Sequence, residues 1–317
     1  MSELALVTGG AGFIGSHLVE ELVRRGKRVR VLDDLSTGQP ENLAHLPTQP
    51  ELIRGSITDP AAVADAVKGV SVVYHLAALA SVARSVEDPL ASHAACATGT
   101  LQVLDAARRA GARRVVYAAS SSAYGGWSGA GGQPEDLPLA ALSPYAAAKL
   151  AGEYYLQAFT ASYGLETVRL RFFNIFGPRQ RADSPYSGVI AIFTAMMAAG
   201  KAPTIHGDGL QSRDFTYVAN AVQALTRAAE APAEKVSGNV YNVGTGHGVT
   251  VLDLVAALNA VLGKSLTPSF GPARAGDVRY SLADISRIRK DLGYEPTAGF
   301  EDGLRKTVGW YLETSGG

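Results

Sequence analysis

The stretch Leu4-Ala5-Leu6-Val7-Thr8-Gly9-Gly10-Ala11-Gly12-Phe13-Ile14-Gly15 decides the fold. Leu4–Thr8 is a short apolar run of β character, a glycine-rich turn follows, and a helical pattern runs from Phe13 to Arg25. Gly10, Gly12 and Gly15 fit G-x-G-x-x-G, while Gly9, Gly12 and Gly15 also fit G-x-x-G-x-x-G. Glycine suits each point: the turn needs positive φ, the backbone must approach a pyrophosphate, and helix and strand must lie close together. The helix then turns free N–H groups and a positive partial charge toward the phosphates. The next strand, Arg28–Leu32, ends at Asp33-Asp34. A carboxylate at that place accepts hydrogen bonds from an adenosine ribose and repels a 2′-phosphate, so the pattern predicts NAD rather than NADP.

The same alternation continues along the chain. Glu51–Arg54, Val70–Leu76, Arg114–Ala119 and Thr167–Phe173 read as strands. Helical patterns near Pro60–Val67, Pro89–Ala110 and Tyr145–Ser162 lie between most of them. Strand–helix–strand units at this spacing predict an α/β fold, a doubly wound, mostly parallel Rossmann sheet. The pattern loosens after Asn174 and breaks at Gly177-Pro178. Later segments read as helices near Val189–Ala199, Val218–Ala229, Val251–Leu262, Ala283–Leu292 and Phe300–Glu313, with strands at Thr204–Ile205 and Tyr241–Val243. The expected organisation is an NAD-binding domain over residues 1–174 and a smaller C-terminal α/β substrate domain over 175–317. Segments around 215–243 are expected to return to the first sheet. Gly125–Gly132 (GGWSGAGG) is the one low-complexity patch; it reads either as a flap over a site or as a surface connection.

Composition narrows the function classes. Of 317 residues, 47% are hydrophobic and 18% charged, enough apolar material for a sizeable core. Lys+Arg and Asp+Glu are 29 each, a formal net charge of zero, which argues against nucleic-acid binding and a polybasic membrane clamp. The single cysteine, Cys96, excludes a disulfide framework and a cysteine-based zinc site, and the six histidines show no metal spacing. No apolar run approaches a membrane span, and a strand pattern begins by Glu3. The expectation is a cytoplasmic protein with no metal, nucleic-acid or membrane partner.

Two further signals carry chemistry. Ser143-Pro144-Tyr145 reads as a helix cap and proline start, and Tyr145 and Lys149 lie four apart on one helix face. A tyrosine near its reference pKa of about 10 is a poor base at neutral pH. A nearby ammonium, with the charge of oxidised nicotinamide, favours the phenolate. The pair then suits moving an alcohol proton while hydride leaves the same carbon. Ser120-Ser121-Ser122-Ala123-Tyr124-Gly125 follows an apolar strand, so its hydroxyls fall at the carboxyl edge where open α/β sheets bind ligands.

Together, TGGAGFIG, Asp33, His75-Leu76-Ala77-Ala78, Ser120–Gly125 and Tyr145-x-x-x-Lys149 resemble the extended short-chain dehydrogenase/reductase family over essentially the whole chain. Phe172–Gln180 (FFNIFGPRQ), Ser212–Phe215 (SRDF) and Arg274–Asp277 (RAGD) make it similar to NAD-dependent nucleotide-sugar 4-epimerases of the UDP-hexose type. The resemblance implies a catalytic set of Ser120, Tyr145 and Lys149. It implies a cofactor set of Gly9, Gly12, Phe13, Ile14, Gly15, Asp33, Ser36, Thr37, Gly38, Ile57, Leu76, Ala77 and Ala78, with Tyr145 and Lys149. The substrate set it implies is Ser81, Ser121, Ser122, Asn174, Arg181, Val189, Arg213, Arg274, Asp277 and Ser281. Asn174 would bind the diphosphate or sugar side, and Arg213, Arg274 and Asp277 would clamp diphosphate and uridine ribose, since an arginine fork suits phosphate and an acid suits a diol.

The implied reaction is C4 epimerisation of a UDP-sugar through a 4-keto intermediate, by an isomerase acting as a homodimer. Sugar-nucleotide 4,6-dehydratases carry an acid pair after the catalytic hydroxyl, where this chain has Ser121 and Ser122. Ser281 falls where glucose-restricted members carry tyrosine, so N-acetylated sugars are expected beside UDP-glucose and UDP-galactose. Arg181 stands where uronate-specific relatives have arginine, which keeps UDP-glucuronate as an alternative; Asn174, where those relatives have threonine, argues against it. A non-catalytic NAD-binding sensor is the alternative of another class.

Overall fold

The computed structural model describes residues 3–126, 129, 131–182, 187–273 and 278–315. Among them, seven strands form one fully parallel sheet: β1 (Leu4–Thr8), β2 (Arg28–Asp33), β3 (Glu51–Arg54), β4 (Val72–His75), β5 (Arg114–Ser120), β6 (Glu166–Phe172) and β7 (Asn239–Val243). Their spatial order is β7-β6-β5-β4-β1-β2-β3. The near-continuous apolar strands follow from burial on both faces. Alternate residues go to opposite sides: Leu6, Val73, Val115 and Tyr117 join one core, and Val7, Tyr74, Val116 and Val168 the other. The order reverses between β1 and β4, which opens the crevice at the carboxyl ends where such sheets bind ligands.

A third core, around Phe176, Phe193, Phe215, Tyr217 and Leu254, lies under the later segments. There Asn174–Phe176 pairs with Phe215–Tyr217, and Ser212–Arg213 pairs with both Val249–Thr250 and Tyr280–Ser281. Buried Asp214 holds this region together. Its carboxylate accepts from Thr245 N (2.8 Å), Thr245 Oγ1 (2.8 Å), Gly246 N (2.9 Å), Thr216 Oγ1 (3.1 Å) and Ala283 N (3.3 Å).

Two expected helices differ. The helix expected over Pro89–Ala110 is three pieces: Pro89–His93, a π-helical turn Ala94–Thr98, and Gly99–Arg109. The Thr100 hydroxyl donates to Cys96 O at 2.7 Å, competing with the backbone for that carbonyl. The helix expected from Ala283 starts at Ser286. Ala283 is taken by a parallel bridge to Gln133, and Asp284 accepts from Ser286 N at 2.8 Å. Among the described residues no helix is long and apolar enough to cross a membrane.

Candidate active site

The glycine turn is closed by its own backbone. Gly9 adopts φ +71° and its N–H donates to Leu32 O at 2.8 Å; Gly12 N donates to Gly9 O at 3.2 Å. A Cβ on Gly9 would lie 2.9 Å from the Ala77 backbone, and one on Gly15 only 2.0 Å from Gly9 O. The helix Phe13–Arg24 starts at Gly12 with no side chain capping it. Its first N–H groups are therefore left to the cleft beside them.

That cleft encloses about 430 Å³. It brings together Gly9, Gly12, Phe13, Ile14, Gly15, Asp33, Ser36, Thr37, Ile57, Leu76, Ala77, Ala78, Ser120, Tyr145 and Lys149. The fit to a dinucleotide is good: an uncapped helix start, a backbone cradle and a carboxylate at the β2 end share one elongated space. Asp33 is already engaged, its Oδ2 accepting from Ala11 N and its Oδ1 from Leu35 N, both at 2.9 Å. Burial nonetheless pushes its carboxyl above the ordinary value. Gly38 lies against that carboxylate rather than on the cleft wall; a Cβ there would sit 2.8 Å from Asp33 Oδ1. Leu79, Ala95, Phe173, Ile175 and Gln180 also line the cleft and were not expected. The rule that ligands meet the carboxyl ends of parallel strands could have found Phe173, one residue past β6.

His75, at the end of β4, ties the glycine turn to the neighbouring helix. Thr8 Oγ1 lies 2.7 Å from its Nδ1, and Thr100 Oγ1 lies 3.0 Å from its Nε2. Because Thr100 donates to Cys96 O, it accepts from Nε2–H, which assigns the neutral tautomer. Burial lowers the His75 pKa to about 3, in keeping with that neutral ring.

Ser120 ends β5 and caps the short turn Ser121–Tyr124, its hydroxyl accepting from Ser122 N at 3.2 Å and Ser122 Oγ at 2.9 Å. Tyr145 and Lys149 enter from the helix Pro144–Tyr163, capped by Ser143, whose hydroxyl accepts from Ala146 N. Burial pushes the Tyr145 phenol well up, and the Ser120 hydroxyl pulls it back. Lys149 Nζ donates to Ala118 O at 2.7 Å and sits 4.5 Å from the Tyr117 ring centroid; burial lowers its pKa. The expected mutual shift of Tyr145 and Lys149 is thus outweighed by burial of both groups.

Behind this constellation lies a buried polar network. Arg171 Nε and Nη2 donate to Glu153 at 2.9 and 2.8 Å, and Nη1 donates to the Tyr124 hydroxyl at 3.0 Å. Tyr124 donates to Asn242 Oδ1 at 2.6 Å, and Asn242 N donates to Glu135 Oε1 at 2.8 Å. The sequence signal was present but unread: an arginine inside an apolar strand, and an acid eight residues past Tyr145.

A second cavity of about 420 Å³ contains Asn174, Val189 and Arg213, with Phe193, His206 and Gln211. Asn174 N donates to Asp214 O at 3.1 Å, and Ser281 stands in register with Arg213. Ser281, Ser81, Ser121, Ser122 and Arg181 line neither cavity. Ser81 caps the helix Val82–Glu87, Ser121 and Ser122 form the turn after Ser120, and Arg181 is exposed one residue beyond Gln180. Arg274 and Asp277 lie outside the described residues.

Residues 5–244 match the model of the NAD dependent epimerase/dehydratase family, and the chain belongs to that family. It is 39% identical to a UDP-glucose 4-epimerase of Mycolicibacterium smegmatis, over 98% of this chain and 99% of the relative. Its structure is similar to that of a UDP-glucose 4-epimerase with UDP-glucose from Thermotoga maritima (TM-score 0.93, 37% identity, 98% and 99% of the chains). It is equally similar to a UDP-N-acetylglucosamine 4-epimerase from Methanobrevibacter ruminantium M1 in complex with UDP-N-acetylmuramic acid (TM-score 0.93, 37% identity, 99% and 100%). Other reactions occur among the relatives: a UDP-N-acetyl-alpha-D-glucosaminuronate decarboxylase of Bacillus cytotoxicus is 31% identical, and a dTDP-glucose 4,6-dehydratase of Streptomyces niveus 35%.

Proposed function

We propose that this chain epimerises C4 of a UDP-sugar, with UDP-glucose/UDP-galactose and UDP-GlcNAc/UDP-GalNAc as substrates. The observation that carries the reading is the meeting of Ser120, Tyr145 and Lys149 with the glycine turn in one cleft. NAD, when bound, supplies the hydride acceptor and donor. Tyr145 takes the O4 proton and later returns it, Ser120 holds that oxygen, and the Lys149 ammonium favours the phenolate. Gly9, Gly12, Phe13, Ile14, Gly15 and Asp33 would hold the cofactor. Asn174, Val189 and Arg213 would hold the nucleotide side of the substrate in the second cavity, so that the sugar reaches toward Tyr145. Residues 175–317, less the segments around 215–243, where the helix Val218–Glu230 and β7 pack on the first sheet, make the substrate half. Ser121 and Ser122, which cannot protonate a leaving hydroxyl, separate this reading from dehydration.

Incubating the protein with UDP-glucose, UDP-GlcNAc and UDP-glucuronate, then separating C4 epimers by chromatography, tests it. Conversion of the first two is expected. Arg181, next to cleft-lining Gln180, favours UDP-glucuronate as a second reading, and conversion of that sugar alone would replace the first. Ser281→Tyr is expected to abolish turnover of UDP-GlcNAc while sparing UDP-glucose; equal loss of both removes Ser281 as a steric gate.

The protein is also proposed to be a homodimer. Val86, Leu90 and Tyr154 expose large apolar surfaces on helices that pack together, with Leu90 81% exposed. Such a patch suits a twofold partner. Light scattering at micromolar concentration should give twice the chain mass; a monomer contradicts the assignment.

A further inference from the structure

We infer that Arg171, with Glu153 and Tyr124, is a positioning unit that fixes Ser120 relative to Tyr145. The inference rests on the proposed roles of Ser120 and Tyr145. These two residues come from separate elements, the end of β5 and the start of the helix Pro144–Tyr163. Their separation is therefore set by whatever ties that helix to that turn. Arg171 touches both. Its guanidinium grips Glu153 through Nε and Nη2, and Glu153 lies four residues past Lys149 and eight past Tyr145, on the same helix face. Its Nη1 reaches the hydroxyl of Tyr124, the last residue of the turn that Ser120 caps. Arg171 is itself anchored on β6 in register with Ala119, so that Ser120 faces Phe172.

The three partners differ in what they restrain. The bidentate pair fixes direction as well as distance, because a planar fork meets a planar carboxylate. Both residues are buried, Arg171 at 3% and Glu153 at 2% exposure. A buried ion pair is weak evidence for stability, since well-packed apolar residues of similar volume often do as well. Its geometric precision is what apolar packing would not reproduce. Tyr124 adds the second arm. Its hydroxyl accepts from Arg171 and donates to Asn242, while its ring lies 4.9 Å from the guanidinium carbon. None of the three lines the cleft, so they act through Ser120, Tyr145 and Lys149.

The test compares Tyr124→Phe, Arg171→Lys and their double variant with wild type and Tyr145→Phe. Turnover and KM are measured with UDP-glucose and UDP-GlcNAc, alongside NAD content and melting temperature. Tyr124→Phe removes one oxygen and keeps the ring. It is expected to lower kcat about 10- to 100-fold, the scale of a small misplacement of reacting groups. KM should stay within about twofold and NAD content should match wild type, since Tyr124 itself lines neither cavity. Arg171→Lys keeps a charge for Glu153 but loses the fork, and the double variant should be no slower than the slower single, the mark of one coupled unit. Wild-type kcat in folded Tyr124→Phe overturns the inference. So does a loss of kcat that merely parallels lost NAD and a lowered melting temperature, which marks a structural role alone. If Tyr145→Phe keeps its turnover, or wild type converts neither sugar, the proposed function itself fails, and the two failures are told apart.

Discussion

Tyr145→Phe is expected to lose the proposed epimerisation by roughly 10²–10⁴-fold, the usual contribution of a positioned acid/base, while keeping its fold and its NAD. The substitution removes one oxygen and leaves the ring, which packs against the buried cluster Cys96, Ala97 and Ala148. Lys149 is held independently, by Ala118 O and the Tyr117 ring, so the variant does not release it. The pH profile is the companion measurement. Burial lifts the Tyr145 phenol, and Ser120 opposes the lift. The proposed reaction begins from the ionised form, so turnover should rise with pH, about tenfold per unit well below the apparent pKa. Positive charge on bound oxidised nicotinamide and on the Lys149 ammonium would oppose that lift. The rise should vanish in Tyr145→Phe. A variant with near-normal turnover and an unchanged pH profile removes Tyr145 from the chemistry.

How much of this was legible in the sequence follows from which interactions are local. The strand–turn–helix from Leu4 to Arg24 was readable because each glycine requirement arises within a few residues: a positive φ at Gly9 and the approach of Gly15 to Gly9 O. The cap Ser143 and the proline start Pro144 marked the beginning of the helix Pro144–Tyr163, expected over Tyr145–Ser162. The i, i+4 spacing alone therefore places Tyr145 and Lys149 on one face. The break at Ala94–Thr98 was not legible, because its cause is tertiary: Thr100 is recruited by His75 from a strand 25 residues earlier. Arg171 and Glu153 were missed for the same reason. An apolar strand pattern predicts burial, and a buried arginine declares its role only when its partner, 18 residues away, is brought alongside. Lys149 shows the converse. The spacing put it beside Tyr145, but its nearest acceptor is a carbonyl of β5, which no helical periodicity could supply.

Gly15→Ala is expected to empty the cofactor site. Gly15 lies in the first turn of the helix Phe13–Arg24, at a φ an alanine tolerates, so intrinsic propensity favours the change. Sterics decide against it. The new Cβ would fall 2.0 Å from Gly9 O and 2.8 Å from Gly10 Cα, both backbone atoms. Gly9 cannot retreat, because its N–H is bonded to Leu32 O and its Cα side abuts the Ala77 backbone. The helix start must move instead, and with it the N–H groups that address the pyrophosphate. Overpacking of this kind costs about 1–3 kcal/mol, equivalent to roughly a 5- to 150-fold loss of NAD affinity if the strain falls on the site. Gly309→Ala is the control. It lies in the helix Phe300–Ser315, where an added Cβ meets nothing within 4 Å. That variant should keep its NAD and gain up to about 1 kcal/mol in helix propensity. Denaturing each purified variant and assaying released NAD(H) makes the comparison. Wild-type NAD content in Gly15→Ala would show that the turn can open without disturbing the cradle, and the glycine pattern would then carry no information about the ligand.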